Sequence, residues 1–135
     1  LWVRLAGTEE AAQQRGREAF EASVLRWGAA LADCLQPGEP LARLDDATFA
    51  IIATGHSNAK SVDALAATVL ARTLSSFEAR DKVDCRVVLV PLPAGRSTVE
   101  GIAHLCERAL KTAPLGKRIL RLRSGGAFES TPVAQ

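Results

Sequence analysis

Leu41-Ala42-Arg43-Leu44-Asp45-Asp46-Ala47-Thr48-Phe49-Ala50-Ile51-Ile52-Ala53-Thr54 consists of two short apolar runs joined by an acidic pair. Leu41 to Leu44 reads as one strand and Phe49 to Thr54 as the next, with Asp45-Asp46 where a tight hairpin needs its turn. Asp enters the left-handed region more readily than most non-Gly residues, which suits it to that position. The pair reads as a plain polar turn rather than a metal site, because no third carboxylate stands nearby in sequence.

Elements of both kinds flank the hairpin. Leu1 to Leu5 reads as a strand entering the core from the first residue, ended by Gly7-Thr8. Ala11 to Leu35 is rich in helix formers, and Gly16 separates a short first piece from the main helix. Phe20, Val24, Trp27, Leu31 and Leu35 recur every three or four residues and make its buried stripe. Gln36-Pro37-Gly38 stops it, and Pro40 leads into the hairpin. Beyond the hairpin, Gly55-His56-Ser57-Asn58 reads as a loop in which Ser57 or Asn58 caps the next helix. Val62, Leu65, Ala66 or Val69, Leu70, Leu74 and Phe77 form that helix's buried face.

Val83 to Leu92 is a strand dense in β-branched residues and buried on both faces, with Pro91 and Pro93 placing its end at or near a sheet edge. Ser97 or Thr98 caps a helix carrying Ile102, Leu105, Ala109 and Leu110, which Pro114 ends. Lys117 to Leu122 alternates basic and apolar residues, as a last strand with one wet face. Residues 1–122 read as one domain, and residues 123–135, which lack periodicity, as a flexible tail. The order gives an α/β (α+β) fold with a ferredoxin-like βαββαβ core, an extra helix and strand, and a mainly antiparallel sheet of about five strands flanked by helices.

Bulk properties narrow the function. The chain has 135 residues, 47% of them apolar, enough for a core. Its net charge of +2 gives no support to a nucleic-acid surface, and no apolar run approaches a membrane span. A soluble, cytoplasmic piece of a longer protein is the expectation. Cys34, Cys85 and Cys106 lack metal-ligand spacing and read as buried thiols. His56 and His104 stand in no triad-like motif, so both read as structural. Lys117, Arg118, Arg121 and Arg123 make a short basic edge without aromatics for base stacking. Trp2 and Trp27 read as packing residues.

Leu-Ala-Arg-Leu-Asp-Asp-Ala-Thr-Phe-Ala-Ile-Ile resembles the strand–turn–strand of GGDEF domains, the diguanylate cyclases, with Asp45, Asp46, Ala47, Thr48 and Phe49 at the five signature positions. Cys106-Glu107-Arg108-Ala109-Leu110-Lys111 lies where that family has A-D-x-A-L-Y, and Gly116-Lys117-Arg118-Ile119 where it has G-R-N-x-V. Val24 to Leu35 is similar to the helix before its hairpin, and the likeness covers roughly residues 1–122.

The resemblance implies a nucleotide-cyclase-like fold and, for active members, condensation of two GTP molecules into cyclic di-GMP on divalent metal. Mg²⁺ demands oxygen ligands, which the family draws from the third signature residue and an Asp ending the first strand. Here Ala47 holds the signature position, and Val3, Arg4, Leu5 and Ala6 offer no carboxylate on the strand. Asp45 and Asp46 replace the glycines that admit nucleotide and set two negative charges against a triphosphate. Pro114 replaces a phosphate-binding Lys. No catalytic residue, metal or cofactor is therefore expected.

Gln36-Pro37-Gly38-Glu39 matches the family's product-binding RxxD. Glu39 mimics the Asp, but Gln36 lacks an Arg's charged, bidentate grip. The resemblance thus implies a regulatory or protein-interaction module of a bacterial cyclic di-GMP signalling protein, working by self-association or docking to a protein partner. The alternative is a receptor that binds cyclic di-GMP or GTP without turning it over, with Arg72, Arg80 or a partner chain standing in for the missing Arg.

Overall fold

The computed structural model describes residues 1–55, 58–78, 82–91, 98–113, 118–122 and 128–131, with the backbone alone at 99 and 128–131. In chain order the elements are β1 (Trp2–Ala6), α1 (Thr8–Arg15), α2 (Arg17–Asp33), β2 (Leu41–Asp45), β3 (Thr48–Ile51), α3 (Ala59–Ser75), β4 (Asp84–Leu89), α4 (Val99–Thr112), β5 (Ile119–Leu122) and β6 (Phe128–Thr131). The strands form one sheet in the order β2-β3-β1-β4-β5-β6. Its pairings are antiparallel except β4 with β5, which are parallel because α4 carries the chain back across the sheet. β1 is hydrogen-bonded on both sides, so Val3 lies between Phe49 and Val87. The mixed fold and mainly antiparallel sheet match the sequence expectation.

Alternation along β1 supplies two cores. Val3 and Leu5 join Phe49, Ile51 and Val87 beneath α2 and α3, which contribute Phe20, Val24, Trp27 and Leu31 and Leu65, Ala66, Val69 and Leu70. Trp27 meets Phe49 edge-on at 4.5 Å, and its Nε1 donates to Thr73 Oγ1 at 2.8 Å. Gly28 permits the approach: a Cβ there would stand 3.1 Å from Phe49 Cζ. On the other face Trp2, Val88, Leu120 and Leu122 pack against Cys106 and Ala109 of α4 and Ala113 just past its end. Two helix starts are capped as read, by Asn58 onto Ser61 N at 2.8 Å and by Thr98 onto Gly101 N at 3.0 Å. Among the described residues, no helix is long and apolar enough to cross a membrane.

Four expectations need correction. The sheet has six strands, and Phe128–Thr131, placed by the sequence in a flexible tail, pairs with β5. A four-residue strand is too short to show a period, but an open edge beside β5 gives its backbone a partner. β4 lies inside the sheet, not near an edge, because Pro91 falls after its last paired residue and removes no ladder bond. β5 has no wet face: Ile119, Leu120 and Leu122 are buried, and half-buried Arg121 pairs with Asp63 of α3. Cys34 is only half-buried, whereas Cys85 and Cys106 are buried. His56, Ser57, Arg80, Pro93, Ser97, Pro114, Gly116, Lys117 and Arg123 lie outside the described residues.

Candidate functional site

β2 runs to Asp45 and β3 starts at Thr48, so the turn residues are Asp46 and Ala47, one later than the sequence suggests. None of them takes a positive φ. Asp45 instead accepts Ala47 N on Oδ1 at 2.8 Å, its side chain bracing the turn. The pairing register shifts between Arg43 and Asp45, which accommodates this geometry.

Arg43 holds the hairpin to α2. Its guanidinium donates to Glu21 at 2.7 and 3.1 Å and to Asp46 Oδ1 at 2.9 Å. The hydrogen bond from Arg43 lowers the Glu21 pKa, and the same bond raises that of Arg43. Arg17 stands 3.7 Å from Asp46. Behind the turn, Leu5 N donates to Ala47 O at 2.8 Å, joining the end of β1 to the hairpin turn.

These parts enclose a cleft of 720 Å³, lined among others by Arg4, Leu5, Thr8, Glu9, Arg17, Asp45, Asp46 and Ala47. Gly7, at φ 82°, turns the chain from β1 into α1 and caps it without a side chain. Glu9 and Glu10 in the first turn supply the negative charge that this helix end favours.

Ala47, Thr48 and Phe49 divide between cleft and interior. Ala47 lines the cleft, whereas Thr48 is fully buried and its Oγ1 accepts Arg4 Nε at 2.7 Å. Arg4 also pairs with Glu107 of α4, so its charge is matched. Phe49 belongs to the core beneath α2. The cleft thus carries charges of both signs, Glu9, Asp45 and Asp46 with Arg4 and Arg17, of which Asp46 pairs with Arg17 and Arg43 and Arg4 with Glu107. Among the described residues no three His, Cys, Asp or Glu side chains gather as a metal site.

The second site named by the sequence faces inward. Glu39 is 8% exposed, its Oε1 accepting Gln36 N at 2.6 Å and its Oε2 accepting Gly55 N at 3.2 Å. This carboxylate ties the loop before β2 to the loop after β3. The Gln36 side chain lies over Gly55, where a Cβ would collide with its amide oxygen.

The remaining candidates are dispersed. Arg118 pairs with Asp84 at 3.4 Å and Arg121 with Asp63, so the described part of the basic edge is matched by acids. Arg72 is close enough to Cys34 to favour its thiolate, but burial prevails and the thiol pKa is raised. His104 is exposed on α4. Sequence reading missed the Arg43–Glu21 and Arg4–Glu107 pairs, whose partners are 22 and 103 residues apart. Only Arg43 and Asp46, three apart across the turn, gave a local signal. An apolar groove of 190 Å³ between Pro40, Ala42, Leu44, Ala50, Ile52 and Ile102 was also unforeseen.

Comparison with family models, curated proteins and solved structures finds no match to this chain.

Proposed function

We propose that the chain is a catalytically inactive GGDEF-like domain that serves as a regulatory and protein-interaction module of a bacterial, cytoplasmic cyclic di-GMP signalling protein. It works by self-association or by docking to a protein partner. The observation that carries this reading is that Leu5, on the strand that in the family ends in one metal-binding Asp, and Ala47, at the signature position of the other metal ligand, line one cleft. Neither side chain offers oxygen to Mg²⁺, and phosphoryl transfer depends on that charge. Asp45 and Asp46 do not replace them, because the first braces the turn and the second faces Arg43 and Arg17. The strand–helix–hairpin–helix–strand order and the central place of β1 also support the family reading, which is an argument by analogy.

Regulation by product is disfavoured on the same grounds. Glu39 spends its carboxylate on Gln36 N and Gly55 N, and Gln36 carries no charge.

Calorimetric titration of cyclic di-GMP, and then of GTP with Mg²⁺, tests the reading. The expected result is no saturable heat with either, and no cyclic di-GMP after incubation of the domain with GTP and Mg²⁺ or Mn²⁺. Saturable heat without product makes the domain a nucleotide receptor; product formation makes it an enzyme.

A further inference from the structure

α2 turns Phe20, Val24, Trp27 and Leu31 inward. With 3.6 residues per turn, its opposite side carries Ala22, Leu25, Ala29 and Ala32. All four are exposed, and Leu25 at 63% is the most exposed large apolar side chain among the described residues. Arg26 and Asp33, also exposed, flank one edge of this stripe. Arg26 donates to Ser23 Oγ at 2.8 Å, and among the described residues neither Arg26 nor Asp33 joins an ion pair.

We propose that this face joins two copies of the chain, α2 against α2, antiparallel about a two-fold axis near Ala29. The proposal rests on the reading of the domain as an association module and names the surface it uses. A two-fold axis brings together residues equally far on either side of it. Leu25, four residues before Ala29, then lies within one residue's rise (about 1.5 Å) of the level of Ala32 of the second copy, three after it, and Arg26 within the same rise of Asp33 of the second copy, so that each pair is in reach and occurs twice. The unpaired charges of one copy therefore answer those of the other, which an unrelated partner would match only by its own design. Ala22 and Ala29 have so little bulk that the axes can approach to about 8 Å. Antiparallel helices also set their dipoles in opposition.

The 17 residues of α2 span roughly 25 Å. One helix pair of that length covers less than the roughly 800 Å² per partner of a stable complex. The association is accordingly weak, with a dissociation constant on the order of 100 µM.

Sedimentation velocity over a concentration series up to about 500 µM decides the matter. The wild-type chain is expected to dimerise reversibly. Leu25→Glu is expected to weaken the dimer at least about tenfold, as are Arg26→Asp and Asp33→Arg singly, while the double exchange R26D/D33R restores it. All three positions are exposed, so circular dichroism should report an unchanged fold. A wild-type monomer at every concentration overturns the proposal. So does a dimer indifferent to Leu25→Glu, or a double exchange no tighter than its singles. A dimer that ignores these changes removes α2 as the surface but keeps association as the function. Turnover of GTP would remove the functional reading and leave the α2 result standing.

Discussion

The two faces of the sheet are finished differently. Beneath α2 and α3 the core is dense in aromatics, with Phe20, Trp27, Phe49 and Phe77 in ring contact, and the buried Trp27 N–H has its acceptor in Thr73. Beneath α4 the core is smaller, and Trp2 Nε1 is buried without an acceptor. Leu44 and Ile52, at 41% and 46% exposure, mark the part of this face that none of the described helices covers. Geometry explains the asymmetry. A helix with its side chains is about 10 Å across and strands lie about 4.8 Å apart, so two helices cover about four strands and one covers about two.

That contrast can be broken by mutation. Trp27→Ala is expected to lower stability by about 3–5 kcal/mol, and Leu120→Ala beneath α4 by about 3 kcal/mol, as measured by urea unfolding. A reversed order would show that α4 covers the better core, and equal losses that the two faces are packed alike. Thr73→Val leaves the Trp27 N–H buried without its acceptor and should lower stability by about 1–3 kcal/mol. Trp2→Phe removes a donor that has no acceptor to lose, so it should be the milder change. A larger loss at Trp2 would point to a bond that forms in solution.

Alkaline pH tests both faces together. Burial pushes the Cys85 and Cys106 thiols each up to about 12, from an ordinary 9.0. In the unfolded chain both ionise first, so their contribution is intact below pH 9 and falls progressively as pH rises toward 12. At pH 10 each thiol should lower stability by about 1 kcal/mol relative to pH 8. Cys85→Ala should flatten the decline arising beneath α2 and α3, and Cys106→Ala that beneath α4. The smallest effects belong to Leu44→Ser and Ile52→Ser, each within about 0.5 kcal/mol of the original by thermal melting. A larger loss would mean that something covers this groove.

Much of the fold was legible because local rules decided it. Gly16 divides α1 from α2, Asn58 and Thr98 cap their helices, and Phe20, Val24, Trp27 and Leu31 repeat with the helical period. The hairpin was legible as well, but its turn moved by one residue because the Asp45 side chain captured Ala47 N. What stayed hidden depended on distant partners. β6 is a strand by virtue of the edge it meets, and Thr48 and Thr73 are buried polar residues because Arg4 and Trp27 meet them across the fold. At the candidate site, the lack of a carboxylate at Ala47 and along Val3, Arg4, Leu5 and Ala6 could be read directly. The inward turn of Glu39 could not, since its partner Gly55 is 16 residues away.

The central place of β1 also sets an order in time. Residues 2–6 leave the ribosome before both strands that flank them, since β3 and β4 end at Ile51 and Leu89. At about 5–20 residues per second, β1 waits several seconds for its second neighbour, with Trp2, Val3 and Leu5 unsheltered. A chaperone that grips extended apolar segments would find its target here during synthesis, and again in any chain stalled before β4.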